Sequence, residues 1–235
     1  MLAAMPRPSF VLCDALGTLF SFDRAREAFA ARGLPTMAFE LWYAAAHRDG
    51  LALDAAGTFA PFREVAEETL LTLAAEEEWP IDRASATGLV RSLATLAPHP
   101  DTRMALDLFA RSGVPVAVLT TGGRAATERL FERAHVDGVR HVFTIDDFRH
   151  WKPRREVYLG AAHALGLPPP DVALVGVHSF DIHGARQAGL MTGWVRRHEV
   201  RRHGAMGPAD VEGDSLLEVA NALVRLPRGT VVELR

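Results

Sequence analysis

The sequence predicts an α/β protein: a parallel sheet with helices on both faces, preceded by an inserted block made of helices alone. Three observations carry this. From about residue 101 onward, short apolar runs alternate with helix-like segments, as in a parallel sheet joined by crossover helices. One apolar run, Phe10-Val11-Leu12-Cys13, stands apart near the N-terminus. Between them, residues 23–96 carry helical periodicity and no convincing strand. The expected division is a core of residues 1–22 and 97–235 and a helical domain of residues 23–96.

The elements follow in order. Phe10–Cys13 reads as a buried strand ending at Asp14, with Gly17 and Thr18 in the loop beyond. Helices are expected near 24–32, 37–48, 61–77 and 82–96. The third places Phe62, Val65, Ala66, Thr69, Leu70 and Leu73 at helical spacing. Asp82 is the natural N-cap of the fourth, and Pro98 and Pro100 end the block. A helix over 101–111 and a strand over 114–120 come next. Gly122-Gly123 turns into a helix reaching about Ala134. A strand around 141–145 precedes a loop holding Lys152, and a helix spans 154–165. Strands at 172–175 and 191–195 flank a helix at 181–188, and a helix over 215–225 closes the chain.

Composition sets bounds. The chain has 235 residues, 49% hydrophobic and 23% charged, as in water-soluble globular proteins. No apolar run approaches the roughly 18 residues of a membrane span, so no membrane partner is expected. The N-terminal stretch lacks a charged start followed by an apolar segment, so no signal peptide is expected. Cys13 is the single cysteine and excludes an internal disulfide; a cytoplasmic setting is the simplest reading. A net charge of −3 argues against nucleic acid as a partner. Arg196, Arg197, Arg201 and Arg202 read as a solvated basic loop. The ten histidines show no metal-site spacing, and neither metal nor cofactor is expected.

In open parallel sheets, sites gather at the carboxyl ends of strands. Asp14, Thr120, Lys152 and the His178–Asp181 stretch all fall just after an expected strand. Lys152 is the only lysine; the other 25 of the 26 basic side chains are arginine. A site that keeps Lys against that bias calls for a compact point charge instead of a planar fork. Asp14 offers a carboxylate nucleophile, and a fixed cation such as Lys152 would keep it ionised. Thr120 and Thr121 offer hydroxyls and backbone N–H groups for an oxyanion. Asp181 would hold Lys152 or orient a water. Cys13 should point to the opposite face of its strand and serve packing.

Four segments together resemble the haloacid dehalogenase (HAD) superfamily. Asp14-Ala15-Leu16-Gly17-Thr18-Leu19-Phe20 is similar to its first motif and Val118-Leu119-Thr120-Thr121-Gly122 to its second. Trp151-Lys152-Pro153, with Tyr158, resembles the third, and Val175-Gly176-Val177-His178-Ser179-Phe180-Asp181 the fourth. The resemblance implies a Rossmann-like (HAD-like) core, a helical cap over 23–96 and an aspartyl ester on Asp14. Phosphatases of the superfamily carry a second Asp where this chain has Leu16, and an acid that helps hold Mg²⁺ where it has Val177. A leaving alkoxide needs a proton, a contribution of about 10² to 10⁴ in rate, and a leaving halide does not. Both positions point to the metal-independent branch, the 2-haloacid dehalogenases.

By that resemblance, Asp14 attacks the halogen-bearing carbon of a small carboxylate and water then cleaves the ester. Backbone amides near Ala15, Leu16 and Thr121, with the Thr120 hydroxyl, would bind the substrate carboxylate. Thr18 would brace the nucleophile, and Lys152, Tyr158 and Asp181 match family positions. The branch's halide-facing Arg aligns with Met37, its first-motif Tyr with Leu16, and its fourth-motif Ser and Asn with Val177 and His178. Trp42, Tyr43, His47, Arg48 and Phe180 are candidates to line the cleft instead. His178 would donate to the leaving group or activate water. The competing readings are a Mg²⁺-dependent phosphatase and a catalytically silent binding protein. Exposed apolar residues on the cap helices favour a homodimer.

Overall fold

A computed structural model describes residues 5–228. Its sheet has six strands, all parallel: β1 (Phe10–Cys13), β4 (Val116–Thr120), β5 (Val139–Thr144), β6 (Val172–Gly176), β7 (Met191–Val195) and β8 (Val211–Gly213), in spatial order β5-β4-β1-β6-β7-β8. The chain starts in the middle at β1, builds β4 and β5 on one side, then returns to add β6, β7 and β8 on the other. β1 pairs with β4 through Leu12↔Ala117 and with β6 through Leu12↔Leu174. The order reverses around β1, so the carboxyl ends of β1, β4 and β6 meet at the switch point where such sheets form their sites.

Strand alternation sorts the core into two layers. Phe10, Leu12, Ala117, Leu119 and Leu174 face α8 (Arg155–Ala164) and α9 (Ser179–Gln187). Val11, Cys13, Val116, Val118 and Val175 face α5 (Thr102–Arg111), α6 (Arg124–Ala134) and α10 (Leu216–Arg225). Leu106 and Phe109 of α5 and Leu216 and Leu223 of α10 are buried there. Each such side chain contributes about 1.5–3 kcal/mol of burial free energy.

Four helices run in succession between β1 and α5: α1 (Asp23–Ala30), α2 (Ala38–Ala55), α3 (Phe62–Glu76) and α4 (Arg83–Ser92). Asp82 caps α4 as expected, its carboxylate accepting from the Ser85 N–H at 2.8 Å. α2 continues seven residues past the expected end at Arg48. Gly50 lies inside it, although a glycine in a helix costs about 1 kcal/mol relative to Ala. Its role is packing: a Cβ there would lie 2.4 Å from the Trp151 indole. Three small features escaped the sequence. A two-residue antiparallel pair, β2 (Phe20–Ser21) with β3 (Ala97–Pro98), closes the neck of the helical block. A single helical turn, α7 (Ile145–Phe148), follows β5, and β8 extends the sheet edge. α9 starts at Ser179, two residues earlier than expected.

Candidate active site

Asp14 stands one residue beyond β1, its N–H donating to the Val175 carbonyl at 2.9 Å. Gly17, with φ of 82°, lets the chain turn back immediately. The turn brings Thr18 under the carboxylate. Its hydroxyl donates to Asp14 Oδ2 at 2.8 Å and accepts from the Val177 N–H at 3.2 Å. The single hydroxyl proton is thereby committed to the carboxylate. A Cβ on Gly176 would lie 3.6 Å from the Asp14 Cβ, so the end of β6 passes close beside Asp14.

Lys152 reaches the same carboxylate from the loop after α7. Its Nζ donates to Asp14 Oδ1 at 3.2 Å, to Asp181 Oδ2 at 2.9 Å and to the Leu119 carbonyl at 2.6 Å. All three ammonium protons are used, and Lys152 is 1% exposed. Burial pulls its pKa down, but Asp181 and Asp14 more than offset that, and the net direction is upward. The Tyr158 hydroxyl donates to Asp181 Oδ1 at 2.6 Å. Burial pushes the Asp181 carboxyl upward, with the Asp14 charge adding and the Lys152 and Tyr158 contacts opposing. A guanidinium would not fit among three acceptors converging on one nitrogen, which gives the lone lysine its physical reason.

The N–H groups of Ala15, Leu16 and Thr121 have no hydrogen-bond partner among the described residues. They lie on adjacent loops after β1 and β4. The Thr120 hydroxyl accepts from the Gly122 N–H at 3.1 Å, which leaves its own proton to donate. Unpaired N–H groups and a hydroxyl at one sheet edge suit a carboxylate or another oxyanion.

An imidazole cluster borders the site from the other side. The His178 ring stacks on Phe180, with centroids 5.2 Å apart and planes at 12°. It lies 5.1 Å from the His198 ring and 6.5 Å from His47. Its Nε2 is buried without a hydrogen-bond partner. Burial, then the neighbouring His198 and His47, lower its pKa to about 3, so the ring is neutral. His47 Nδ1 lies 2.9 Å from the Tyr43 carbonyl, which can only accept; that nitrogen therefore carries the proton and Nε2 is an acceptor. Burial also lowers the His47 pKa.

Of the residues named from sequence, Asp14, Thr18, Lys152, Tyr158 and Asp181 come together as one hydrogen-bonded unit. Ala15, Leu16, Thr120 and Thr121 flank it, and His178 and Phe180 stack at its border. Trp42 is not brought to the site. Its indole is fully buried against Phe29 and Phe39, and its N–H is satisfied by the Ala66 carbonyl at 2.8 Å. Its place on α2 serves packing within the helical block instead of the cleft. Arg48 is solvent-facing and paired with Asp49, and Met37 is 65% exposed. Cys13 is buried, and burial raises its thiol to about 12, so it stays protonated.

The basic loop also reads differently in three dimensions. Arg197 is not solvated: it donates to the Thr18 carbonyl at 2.9 Å and grips Asp101 through two bonds of 2.7 and 2.6 Å. Asp101 in turn accepts from the Leu216 N–H at the start of α10. This ties the loop of residues 14–18 to the starts of α5 and α10, and nothing in the local sequence distinguishes Arg197 from its neighbours. Glu199, whose carboxylate accepts from the Ser179 N–H at 3.1 Å, His198 beside His178, and the Leu119 carbonyl are likewise absent from the residues named from sequence.

An α/β core with a carboxylate just past its first strand, held by a buried lysine from a later loop, is the arrangement in which the four segments that resemble the HAD superfamily come together. Residues 10–189 match the haloacid dehalogenase-like hydrolase family, and the chain belongs to it. It is 27% identical over 189 residues to the (S)-2-haloacid dehalogenase of Pseudomonas sp. (strain YL), covering 78% of this chain and 81% of that one. (S)-2-haloacid dehalogenase H-109 of Pseudomonas putida is 28% identical over 142 residues, 60% of this chain and 63% of that protein's length. The structure of L-2-haloacid dehalogenase from Xanthobacter autotrophicus superposes with a TM-score of 0.84 at 21% identity, covering 92% of this chain and 98% of that one, which establishes the shared fold.

Proposed function

We propose that this hydrolase removes halide from a small 2-haloacid through an ester on Asp14, acting on the (S) acids for which its relatives are named. An Asp14 carboxylate oxygen attacks C2, the C–halogen bond breaks, and the halide leaves with the electron pair. Water then adds at the Asp14 carboxyl carbon, releasing a 2-hydroxy acid and restoring the carboxylate. Lys152 keeps Asp14 ionised between turnovers. Thr18 fixes the attacking carboxylate, the N–H groups of Ala15, Leu16 and Thr121 take the substrate carboxylate, and Asp181 with Tyr158 holds Lys152. His178, neutral and with its buried Nε2 unpaired, donates a hydrogen bond to the departing halide or accepts a proton from the attacking water. Residues 23–96 act as the cap over the cleft.

The observation that carries this reading is the place of Lys152 between two carboxylates, with Leu16 beside them. A Mg²⁺ ion would require oxygen ligands in octahedral array. Here the space between Asp14 and Asp181 is bridged by an ammonium, and Val177 contributes no side-chain oxygen. Among the described residues no group of three or more His, Cys, Asp and Glu is placed to hold a metal. Leu16 has no proton for a leaving alkoxide. Halide release from 2-bromopropionate by the EDTA-treated protein tests the proposal, alongside phosphate release from phenyl phosphate with Mg²⁺. Halide release lost in Asp14→Asn supports it; halide release surviving in Asp14→Asn, or phosphate release alone, refutes it. No helix among the described residues is long and apolar enough to cross a membrane. A cytoplasmic setting and a homodimer, the latter readable by sedimentation, belong to the same proposal.

A further inference from the structure

We infer that the substrate acid carries a second carboxylate, bound in a cavity between the cap and the core; this rests on Asp14 as the nucleophile. The cavity measures about 820 Å³ and lies between α3, α4 and α6. It meets the nucleophile loop at Leu16 and the adjoining oxyanion loop at Gly122. Pockets of about 300–1,000 Å³ suit drug-sized ligands, and a two- or three-carbon haloacid leaves most of this one unused.

Its lining says what extends into it. Leu16, Phe62, Val90, Leu93 and Leu130 form an apolar wall. Around them stand five guanidinium groups, Arg63, Arg91, Arg124, Arg129 and Arg133, against the carboxylates of Glu64 and Asp146. Arg63 is paired with Glu67, and Arg124 with Asp147. Arg91, Arg129 and Arg133 make no ion pair among the described residues. Gly123 through Thr127, the start of the 11-residue α6, also line the cavity. The first-turn N–H groups of a helix lack intrahelical acceptors and carry its positive end. An excess of cations over an apolar wall fits an aliphatic chain that ends in an anion. Its first carboxylate and C2 sit at the Asp14 site, its methylenes along Leu16 and Phe62, and its terminal carboxylate by Arg91 and Arg129. Hydrolysis at C2 proceeds as for the short acid.

The test compares 2-bromohexanedioate with 2-bromohexanoate, which differ only in the terminal carboxylate. The expected kcat/KM ratio favours the diacid by about fivefold to tenfold, the scale of one or two partly exposed ion pairs. Arg91→Gln with Arg129→Gln brings the ratio towards one; both residues are exposed, and the single variants and melting curves check folding. A ratio at or below one, or a ratio that survives the double substitution, overturns the inference. Calorimetry of hexanedioate and hexanoate with Asp14→Asn separates the two claims. Arginine-dependent preference for hexanedioate supports the cavity even if no haloacid is turned over, in which case the nucleophile assignment fails alone. Turnover of 2-bromopropionate with no preference for hexanedioate defeats the cavity proposal alone.

Discussion

Replacing Lys152 with Met tests the centre of the site. Methionine keeps most of the unbranched stem and removes the charge, so the change is mainly electrostatic. The ammonium lies 3.2 Å from Asp14 and 2.9 Å from Asp181, at side-chain exposures of 1% for the lysine and 6% and 1% for the acids. At an effective dielectric constant of about 20, each contact is worth about 5 kcal/mol before desolvation is charged against it. Removing one partner of a buried ion pair costs about 3–5 kcal/mol, because the remaining charges stay buried. Urea unfolding at pH 8 should show a loss of that size, and ester formation on Asp14 should cease. The sign with pH follows from the carboxylates. Burial already pushes Asp181 upward, and without Lys152 it takes a proton more readily, so the deficit shrinks between pH 8 and pH 5. In the native chain the Lys152 pKa is raised above 10.5, so its stabilisation is complete below that value and is lost only as pH rises through the higher folded one. Lys152→Arg keeps the charge but overfills the site, costing about 1–3 kcal/mol. A Lys152→Met deficit under about 1 kcal/mol, or one that grows as pH falls, refutes the electrostatic reasoning.

Three further perturbations probe the surroundings. Tyr158→Phe deletes the 2.6 Å bond to Asp181 without changing the ring, and denaturant unfolding should register a loss of about 1.5–3 kcal/mol. Gly50→Ala would ordinarily stabilise a helix by about 1 kcal/mol. Here the added methyl meets the Trp151 indole beside Lys152, so both the melting temperature and kcat should fall; a rise in melting temperature contradicts the packing argument. His178→Phe should blunt acid destabilisation. The wild-type ring titrates near 6.5 unfolded but near 3 folded, so the native chain loses stability as pH falls from 6.5 towards 3. Stability curves that stay parallel across that range would sink this.

The parts legible in the sequence were those written locally. β1, β4, β6 and β7 are short apolar runs, and Asp14, Thr120 and Asp181 fall at or within five residues of the end of one of them, so topology alone predicts that they meet. Lys152 stood out because composition isolates it. Harder to read were contacts whose signal is split over long stretches of chain. The third acceptor of Lys152 is a backbone carbonyl, which leaves no residue signature. Arg197 sits in a run of similar arginines, and only the folded chain brings its guanidinium to Asp101 and Thr18, 96 and 179 residues away. Trp42 shows the converse: apolar periodicity marks a buried face but not which partner buries it.

His178 belongs to a third category, in which sequence and structure each supply half of the argument. Sequence places an imidazole beside the fourth-motif aspartate, where either charge state is open. Burial against Phe180 and two other imidazoles then excludes the charged form. Its unpaired Nε2 costs about 1–3 kcal/mol, a penalty that folding alone does not recover. A donor or acceptor arriving with the substrate would recover it, and only while the substrate is bound. On that logic the stability of His178→Phe should match or exceed that of the wild type while its turnover falls, whereas a purely structural histidine would lose both together.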